Sequence, residues 1–329
     1  MKPVLFASFR PLPRAENIQA IFNAYDGPKE FLCTTSPIYR DAVISGKYDV
    51  LVIDDFPDVS PGKCIMIWHA IQGGKKIGLD QPGRPYYDGS NAHLMTYVIA
   101  SGTGTQYFWH SCTGVPQSHI LPLGLPCTDA YVGKHKGDGG TFLADKRSYL
   151  YVPTFRDKGE PPAPDIDYAL IDSLLNDDEL FVVKRHPWHY YQNNEPALTL
   201  GAYRHIVEVP GTRPTTPYLI DCDVVITDYS SVIFDGYLLD KPCVLFDRNT
   251  DYVTERGMYF QYPFDYVLSD MTRDEQSLIS KCRKMYAEGM SYMNRLFCDI
   301  VADSCDGHAC ERLTKLINFL NGGERPWYL

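Results

Sequence analysis

The 329-residue chain has no run of 18 or more apolar residues, which excludes a transmembrane helix of ordinary length. Its N-terminus lacks a basic segment followed by an apolar stretch and a cleavage site, so no secretory leader is expected and the chain is read as cytoplasmic. There are ten cysteines but no Cys-x-x-Cys pair. Several of them, including Cys64, Cys222 and Cys243, lie inside apolar stretches, as reduced thiols of a cytosolic protein do. Positive charge is also in deficit. The formal net charge of -10 argues against a nucleic-acid partner and against general attraction to an anionic bilayer. Any basic patch must be local, around Lys75, Lys76, Lys184 and Arg185. No internal repeat is found.

What the chain does contain is an alternation of apolar strands and amphipathic helices, the pattern of parallel α/β architecture. Residues 3–8, 48–53, 63–68, 96–100 and 119–121 read as strands of a first sheet, with a helix over 16–25. Residues 132–147 carry Gly133, Gly137, Gly139 and Gly140 among charged residues and read as a linker. Strands at 148–152, 180–184, 205–207, 223–227 and 242–246 form a second series, with helices near 167–175 and 231–239. The length suits two domains, drawn as 1–140 and 141–329.

The most informative stretch is Val224-Val225-Ile226-Thr227-Asp228-Tyr229-Ser230-Ser231-Val232-Ile233-Phe234-Asp235. It reads as a buried strand delivering hydroxyls and amides to a helix N-terminus, where unpaired N–H groups and the helix dipole suit a diphosphate. A serine N-cap on an ordinary βα unit is the plainer account of the same residues. Two histidines tip the balance. Ile65-Met66-Ile67-Trp68-His69 ends a strand and leads into Gln72, Gly73, Lys75 and Lys76, while Leu180-Phe181-Val182-Val183 ends in Lys184-Arg185-His186-Pro187. In doubly wound sheets, ligands bind beyond the strand carboxyl ends. Two strand-terminal histidines beside cations therefore favour a site that binds and reacts phosphate esters.

Other signals are weaker. Asp221-Cys222-Asp223 has an Asp-x-Asp spacing but precedes its strand, so helix-end solvation is the expected role. Gly102-Thr103-Gly104-Thr105 lacks the third glycine and downstream acid of a dinucleotide loop. His110 and Cys112 read as an ordinary helix face. Cys298, Cys305, His308 and Cys310 match no usual zinc spacing, and neither a metal nor a cofactor is expected.

The order Trp68-His69, Leu123-Gly124-Leu125-Pro126-Cys127-Thr128-Asp129, Tyr151-Val152-Pro153-Thr154-Phe155-Arg156, Lys184-Arg185-His186-Pro187, Thr227-Asp228-Tyr229-Ser230-Ser231, Asp240-Lys241-Pro242, Glu255-Arg256-Gly257 and Asp306-Gly307-His308-Ala309-Cys310-Glu311-Arg312 resembles the CDP-glycerol glycerophosphotransferases, the teichoic acid primase and polymerase family. Ser8-Phe9 and Glu16-Asn17 give a fainter echo. The resemblance implies a GT-B type fold, with two Rossmann-like parallel-sheet domains facing a cleft. The first domain would serve the acceptor and carry the base, and the second would bind the CDP-polyol donor. The implied reaction transfers glycerol phosphate, or a related polyol phosphate, from CDP-glycerol to an acceptor hydroxyl in teichoic acid or capsule-like polymer synthesis, releasing CMP.

A neutral imidazole suits deprotonation of an alcohol near pH 7, and His69 is the candidate base. His186, with Lys184 and Arg185, would stabilise charge on the transferring phosphoryl group. Ser230 and Ser231 would cradle the diphosphate, Asp235 would accept a hydrogen bond from the donor, and Pro153, Thr154 and Arg156 would line the same pocket. Gln72, Gly73, Lys75 and Lys76 complete the expected substrate contacts. The expected acceptor is lipid-linked or a saccharide, with at most weak peripheral attachment to the inner membrane face, where Trp327 and Tyr328 could lodge. The chain departs from the family in having Ala70-Ile71-Gln72 where Gly-Thr-Pro usually follows the Trp-His pair. It also has Cys127 and Thr128 where a basic residue is usual. A GT-B glycosyltransferase using a nucleotide sugar would share this architecture.

Overall fold

Apolar strands buried on both faces build parallel sheets, and the first apolar runs of the chain do so. A computed structural model describes residues 2–72, 74–83, 87–154, 165–186, 198–248, 253, 255, 257–259 and 271–329. Its contacts divide the chain into two compact units, Met1–Val132 with Asp299–Leu329, and Gly133–Cys298.

In the first unit, β1 (Val4–Ser8), β2 (Lys29–Cys33), β3 (Val50–Ile53), β4 (Lys63–Ile67), β5 (Tyr97–Ala100) and β6 (Ile120–Pro122) form a sheet of order β2-β1-β3-β4-β5-β6. Every pairing is parallel. Five of these strands match the expected runs to within two residues. β2 does not appear in the sequence reading: it is an edge strand, half-buried throughout and opening on Lys29-Glu30, so it lacks the continuous apolar run of its neighbours.

In the second unit, β7 (Arg147–Tyr151), β8 (Glu179–Val183), β9 (Ile206–Glu208), β10 (Val224–Thr227) and β11 (Cys243–Leu245) form an all-parallel sheet of order β11-β10-β7-β8-β9. Tyr149, Phe181, Val183, Val224, Ile226 and Val244 pack in its core with Leu278, Ile279 and Cys282 of the helix Glu275–Glu288.

The C-terminal helix Ala309–Leu320 belongs with the first sheet, although a boundary at 140/141 had left it with the second half. The Asp129 carboxylate accepts hydrogen bonds from the amides of Ala309 (2.9 Å) and Cys310 (2.8 Å). This satisfies two orphan donors at the helix start and opposes the positive end of its dipole. Arg312 donates from Nε to the Leu123 carbonyl (2.9 Å) and from its terminal nitrogens to Asp306. Gly124, at φ +80°, lies where a Cβ would come within 2.0 Å of the Ser304 carbonyl oxygen, so only glycine admits this crossing. Gly102 and Gly104 serve a similar close approach, to Val301 and Ile300.

The glycine-rich stretch is fastened rather than loose. The buried Asp221 carboxylate accepts from the amides of Gly137 (2.9 Å), Gly139 (2.9 Å) and Thr141 (2.7 Å) and from the Thr141 hydroxyl (2.8 Å). Asp223 pairs with Lys136 at 2.6 Å. These two aspartates were expected to be solvated at a helix end. Instead they pin residues 136–141 to the second unit.

Replacing Asp129 by Ala removes the acceptor for two helix-start amides, and it should cost about 1 to 2 kcal/mol of stability. Urea unfolding of Asp129→Ala and Asp129→Asn tests this, with the Asn variant losing less. A midpoint unchanged in both variants would show that the helix start finds other acceptors.

Candidate active site

A parallel sheet of order β2-β1-β3-β4-β5-β6 reverses direction between β1 and β3, and in such sheets ligands bind beyond the strand ends at that switch point. Ser8 ends β1 and Asp54 follows β3, and the Ser8 hydroxyl donates to Asp54 Oδ2 at 2.9 Å. The Arg10 amide donates to the Ser8 Oγ at 2.9 Å. Asp54 is 1% exposed, and its Oδ1 has no hydrogen-bond partner. Burial pushes its carboxyl up to about 6, against the opposing pull of Arg10 and the Ser8 hydrogen bond. Arg10 is itself desolvated, which holds its guanidinium below its usual value despite Asp54, Glu16 and Asp55 nearby.

His69 stands two residues past β4. Its Nδ1 lies 3.4 Å from the Asp54 carbonyl oxygen, which can only accept, so a hydrogen bond there selects the neutral tautomer with the proton on Nδ1 and the lone pair on Nε2. Trp68 stacks on the imidazole at 4.4 Å between centroids, and Phe9 meets it edge-on at 6.3 Å. The Trp68 carbonyl accepts from Asn17 Nδ2 at 2.8 Å, and Asn17 Oδ1 accepts from the Cys127 amide at 2.9 Å. The ring is therefore held through its nitrogen, its face and its preceding peptide. Gln72 is buried and donates to the Lys75 carbonyl at 3.3 Å. Lys75 and Lys76 are half-buried, and Gly73 lies outside the described residues.

The second sheet, of order β11-β10-β7-β8-β9, has its switch point between β7 and β10. A buried carboxylate again joins the two strand ends: Asp228 Oδ1 accepts from the amides of Thr154 (2.8 Å) and Tyr229 (2.7 Å). The Thr227 hydroxyl donates to the Val152 carbonyl at 2.7 Å. Pro153 and Thr154 are thus buried against the start of the Tyr229-Ser230-Ser231 turn. Ser230 and Ser231 are half-buried just before the helix Val232–Leu238, and Asp235 is half-buried in its first turn. The Ser231 side chain does not cap that helix, and the Val232 amide reaches Ser230 Oγ at 3.4 Å. The plainer N-cap account therefore does not describe Ser231.

Beyond β8, Lys184 is buried and donates from Nζ to the Arg213 carbonyl at 2.9 Å. Arg185 Nε pairs with Glu208 at 2.9 Å. Two residues of the basic run thus have protein partners, and His186 is half-buried at its end. Arg156 lies outside the described residues, as does Pro187. Among the described residues no group of three His, Cys, Asp or Glu side chains could hold a metal ion.

Within the first unit the structure gathers His69 with Ser8, Arg10, Asn17 and Asp54. Within the second it gathers Thr154 with Asp228 beside the serine turn. Arg10, Asn17, Asp54 and Asp228 were given no role in the sequence reading. Asp54 was within reach of it, since it follows the apolar run Val50–Ile53 at a strand carboxyl end just as His69 follows β4.

The family model described as CDP-Glycerol:Poly(glycerophosphate) glycerophosphotransferase matches residues 41–318. The chain is 29% identical over 296 residues to the teichoic acid poly(ribitol-phosphate) polymerase of Bacillus spizizenii, covering 82% of this chain and 46% of that protein. It is 27% identical over 271 residues to the teichoic acid glycerol-phosphate primase of Bacillus subtilis, covering 78% of this chain and 68% of that protein. The chain spans about half the length of the ribitol-phosphate polymerases it matches. In structure it resembles the wall teichoic acid polymerase TagF with a TM-score of 0.74 at 18% identity, covering 96% of this chain and 88% of that one. Together with the two parallel sheets, that likeness gives a GT-B type fold.

A carboxyl raised by burial favours folding in its protonated form. Its contribution to stability is full below the unfolded value near 4 and is lost as pH rises through about 6. Asp54→Asn should remove a loss on the order of 3 kcal/mol over that window. Asp55, also raised by burial, leaves a smaller slope of the same sign. Denaturation midpoints taken from pH 4 to 7 measure this, and parallel curves for variant and parent would reject the assignment.

Proposed function

The chain belongs to the CDP-glycerol:poly(glycerophosphate) glycerophosphotransferase family, and from that membership we propose that it transfers glycerol phosphate, or a related polyol phosphate, from CDP-glycerol to an acceptor hydroxyl, releasing CMP. The observation that carries the mechanism is the Nδ1–H of His69 directed at the Asp54 carbonyl. That contact fixes the tautomer whose Nε2 can take a proton. As the acceptor oxygen forms its bond to the polyol-bearing phosphorus, its proton passes to His69 Nε2. The bond between that phosphorus and the CMP oxygen breaks, and CMP leaves with the electron pair.

Such a reaction depends on positioning and charge stabilisation more than on covalent help. In this reading the Ser230 and Ser231 hydroxyls and the turn amides hold the diphosphate, with Asp228 fixing the turn against Thr154. His186, flanked by the cations Lys184 and Arg185, stabilises the departing phosphate, and that strand end is tied to Arg213 and Glu208. Asp235 and Pro153 are assigned to the donor side and Gln72, Lys75 and Lys76 to the acceptor side; the other two expected contacts, Arg156 and Gly73, lie outside the described residues. The first unit then serves the acceptor and the second the donor.

His69→Ala should reduce CMP release from CDP-glycerol by at least about 100-fold while donor affinity stays within a few fold, because proton removal matters in the transition state. Ser230→Ala with Ser231→Ala should instead weaken CMP binding by about 1 to 3 kcal/mol. Turnover assays and calorimetric titration separate the two effects. Near-normal turnover in the histidine variant would sink its role as base, and turnover of nucleotide sugars in preference to CDP-glycerol would sink the donor assignment.

The acceptor in this proposal is lipid-linked or a saccharide, met at the inner face of the membrane. No helix among the described residues is long and apolar enough to cross a membrane, and Trp327 is 88% exposed. One aromatic anchor on a net acidic protein gives weak attachment at most, since durable anchoring takes two signals. Flotation with anionic liposomes should therefore be weak and salt-sensitive without acceptor. Strong, salt-resistant flotation contradicts this reading.

A further inference from the structure

Arg10 is half-buried at the switch point of the first sheet, two residues past β1. Its guanidinium lies 4.7 Å from the Phe9 ring centroid, and Phe9 in turn meets the His69 imidazole edge-on. Its backbone is fixed by the Ser8 hydroxyl and the Cys33 thiol. The side chain itself makes no hydrogen bond or ion pair among the described residues, although Asp54, Asp55 and Glu16 lie near enough to act on its charge. None of its five N–H donors thus meets an acceptor among the described residues, and a guanidinium partly withdrawn from water gains from one. The position lies ahead of residues 41–318, the span matched by the family model.

We propose that Arg10 binds a phosphodiester oxygen of the acceptor, next to the hydroxyl that His69 deprotonates. The proposal rests on His69 being the base. A guanidinium presents paired N–H groups that match two phosphate oxygens, and this one rests 4.7 Å from the Phe9 ring centroid. The three neighbouring carboxylates decide which kind of phosphate it takes. A terminal phosphate monoester, with close to two negative charges, would be repelled by them, whereas an internal phosphodiester carries one. Burial pushes the Asp54 carboxyl up to about 6, so its share of that repulsion falls as pH falls through that value, and burial raises the Asp55 carboxyl too. The fitted ligand is the chain of a poly(polyol phosphate), bound by its last internal phosphodiester with the terminal polyol hydroxyl at His69.

The test uses the full chain with Arg10→Gln and Arg10→Lys. Acceptor kinetics compare a short glycerol phosphate oligomer with a neutral polyol, and calorimetry measures glycerophosphoglycerol and glycerol 3-phosphate without donor. In Arg10→Gln the preference for the phosphodiester acceptor, as the ratio of kcat/KM values, should fall about tenfold, mainly through KM. Glycerophosphoglycerol binding should weaken by a similar factor, and Arg10→Lys should recover only part of it. The parent should bind the diester more tightly than glycerol 3-phosphate. Equal losses on charged and neutral acceptors, or a lowered melting midpoint in Arg10→Gln, would make Arg10 a structural residue and overturn the proposal. Should the chain not turn over CDP-glycerol at all, the functional reading fails, and calorimetry alone still decides Arg10. Equal diester affinity in parent and variant overturns its role.

Discussion

Each sheet is closed at its switch point by a buried carboxylate that accepts a hydrogen bond from the neighbouring strand end. Asp54 takes the Ser8 hydroxyl across 46 residues of sequence, and Asp228 takes the Thr154 amide across 74. At these points the chain turns away from its own sheet, so no backbone ladder continues there and the diverging ends need another fastening. A carboxylate suits the task because it has acceptors only and can meet two or three donors at once. Its partners at these strand ends are amides and hydroxyls. The proposed base and the proposed diphosphate turn each hang from one of these joints: His69 from the Asp54 carbonyl, and the Tyr229-Ser230-Ser231 turn from the Asp228 side chain.

The two joints differ in how completely they are satisfied. Asp228 Oδ1 receives two amides, whereas Asp54 Oδ1 receives none and is buried. Local rules tend to be broken where a site has work to do, and the unpaired oxygen lies at the same switch point as the unpaired guanidinium of Arg10. By contrast, several residues that carry the family resemblance act in the architecture. Asp129 holds the start of the C-terminal helix, Arg312 holds Leu123 and Asp306, and Gly124 lets the Ser304 backbone pass. Two of the eight stretches that carry the resemblance thus tie the C-terminal segment to the first sheet.

What could be read from the sequence was local. Strand positions came from apolar runs, because parallel strands are buried on both faces, and strand-terminal residues such as His69 and Ser230 followed from the architecture. Edge strand β2 escaped because it is half-buried. The carboxylate joints escaped because their partners come from distant strands and no spacing rule links them. The partners of the basic run after β8 escaped for the same reason: the Arg213 carbonyl and Glu208, brought in from β9 and the loop beyond it, engage Lys184 and Arg185. In Asp221 and Asp223 the sequence offered a metal-like spacing that long-range packing turned into clamps for a linker.

The same distinction between local pattern and long-range support bears on the departure beside the proposed base. Where the family usually has Gly-Thr-Pro after the Trp-His pair, this chain has Ala70-Ile71-Gln72. Ile71 and Gln72 are buried, with Gln72 bonded to the Lys75 carbonyl, so the segment packs inward. Supports of His69 come from β1, β3 and the helix Glu16–Ala24, through Phe9, Asp54 and Asn17. Substitutions downstream of the histidine can therefore reshape what lies beyond the ring, including the surroundings of Lys75 and Lys76, while leaving its tautomer and orientation intact. Under the proposed function, a changed acceptor with an unchanged base is the outcome that this division of support favours.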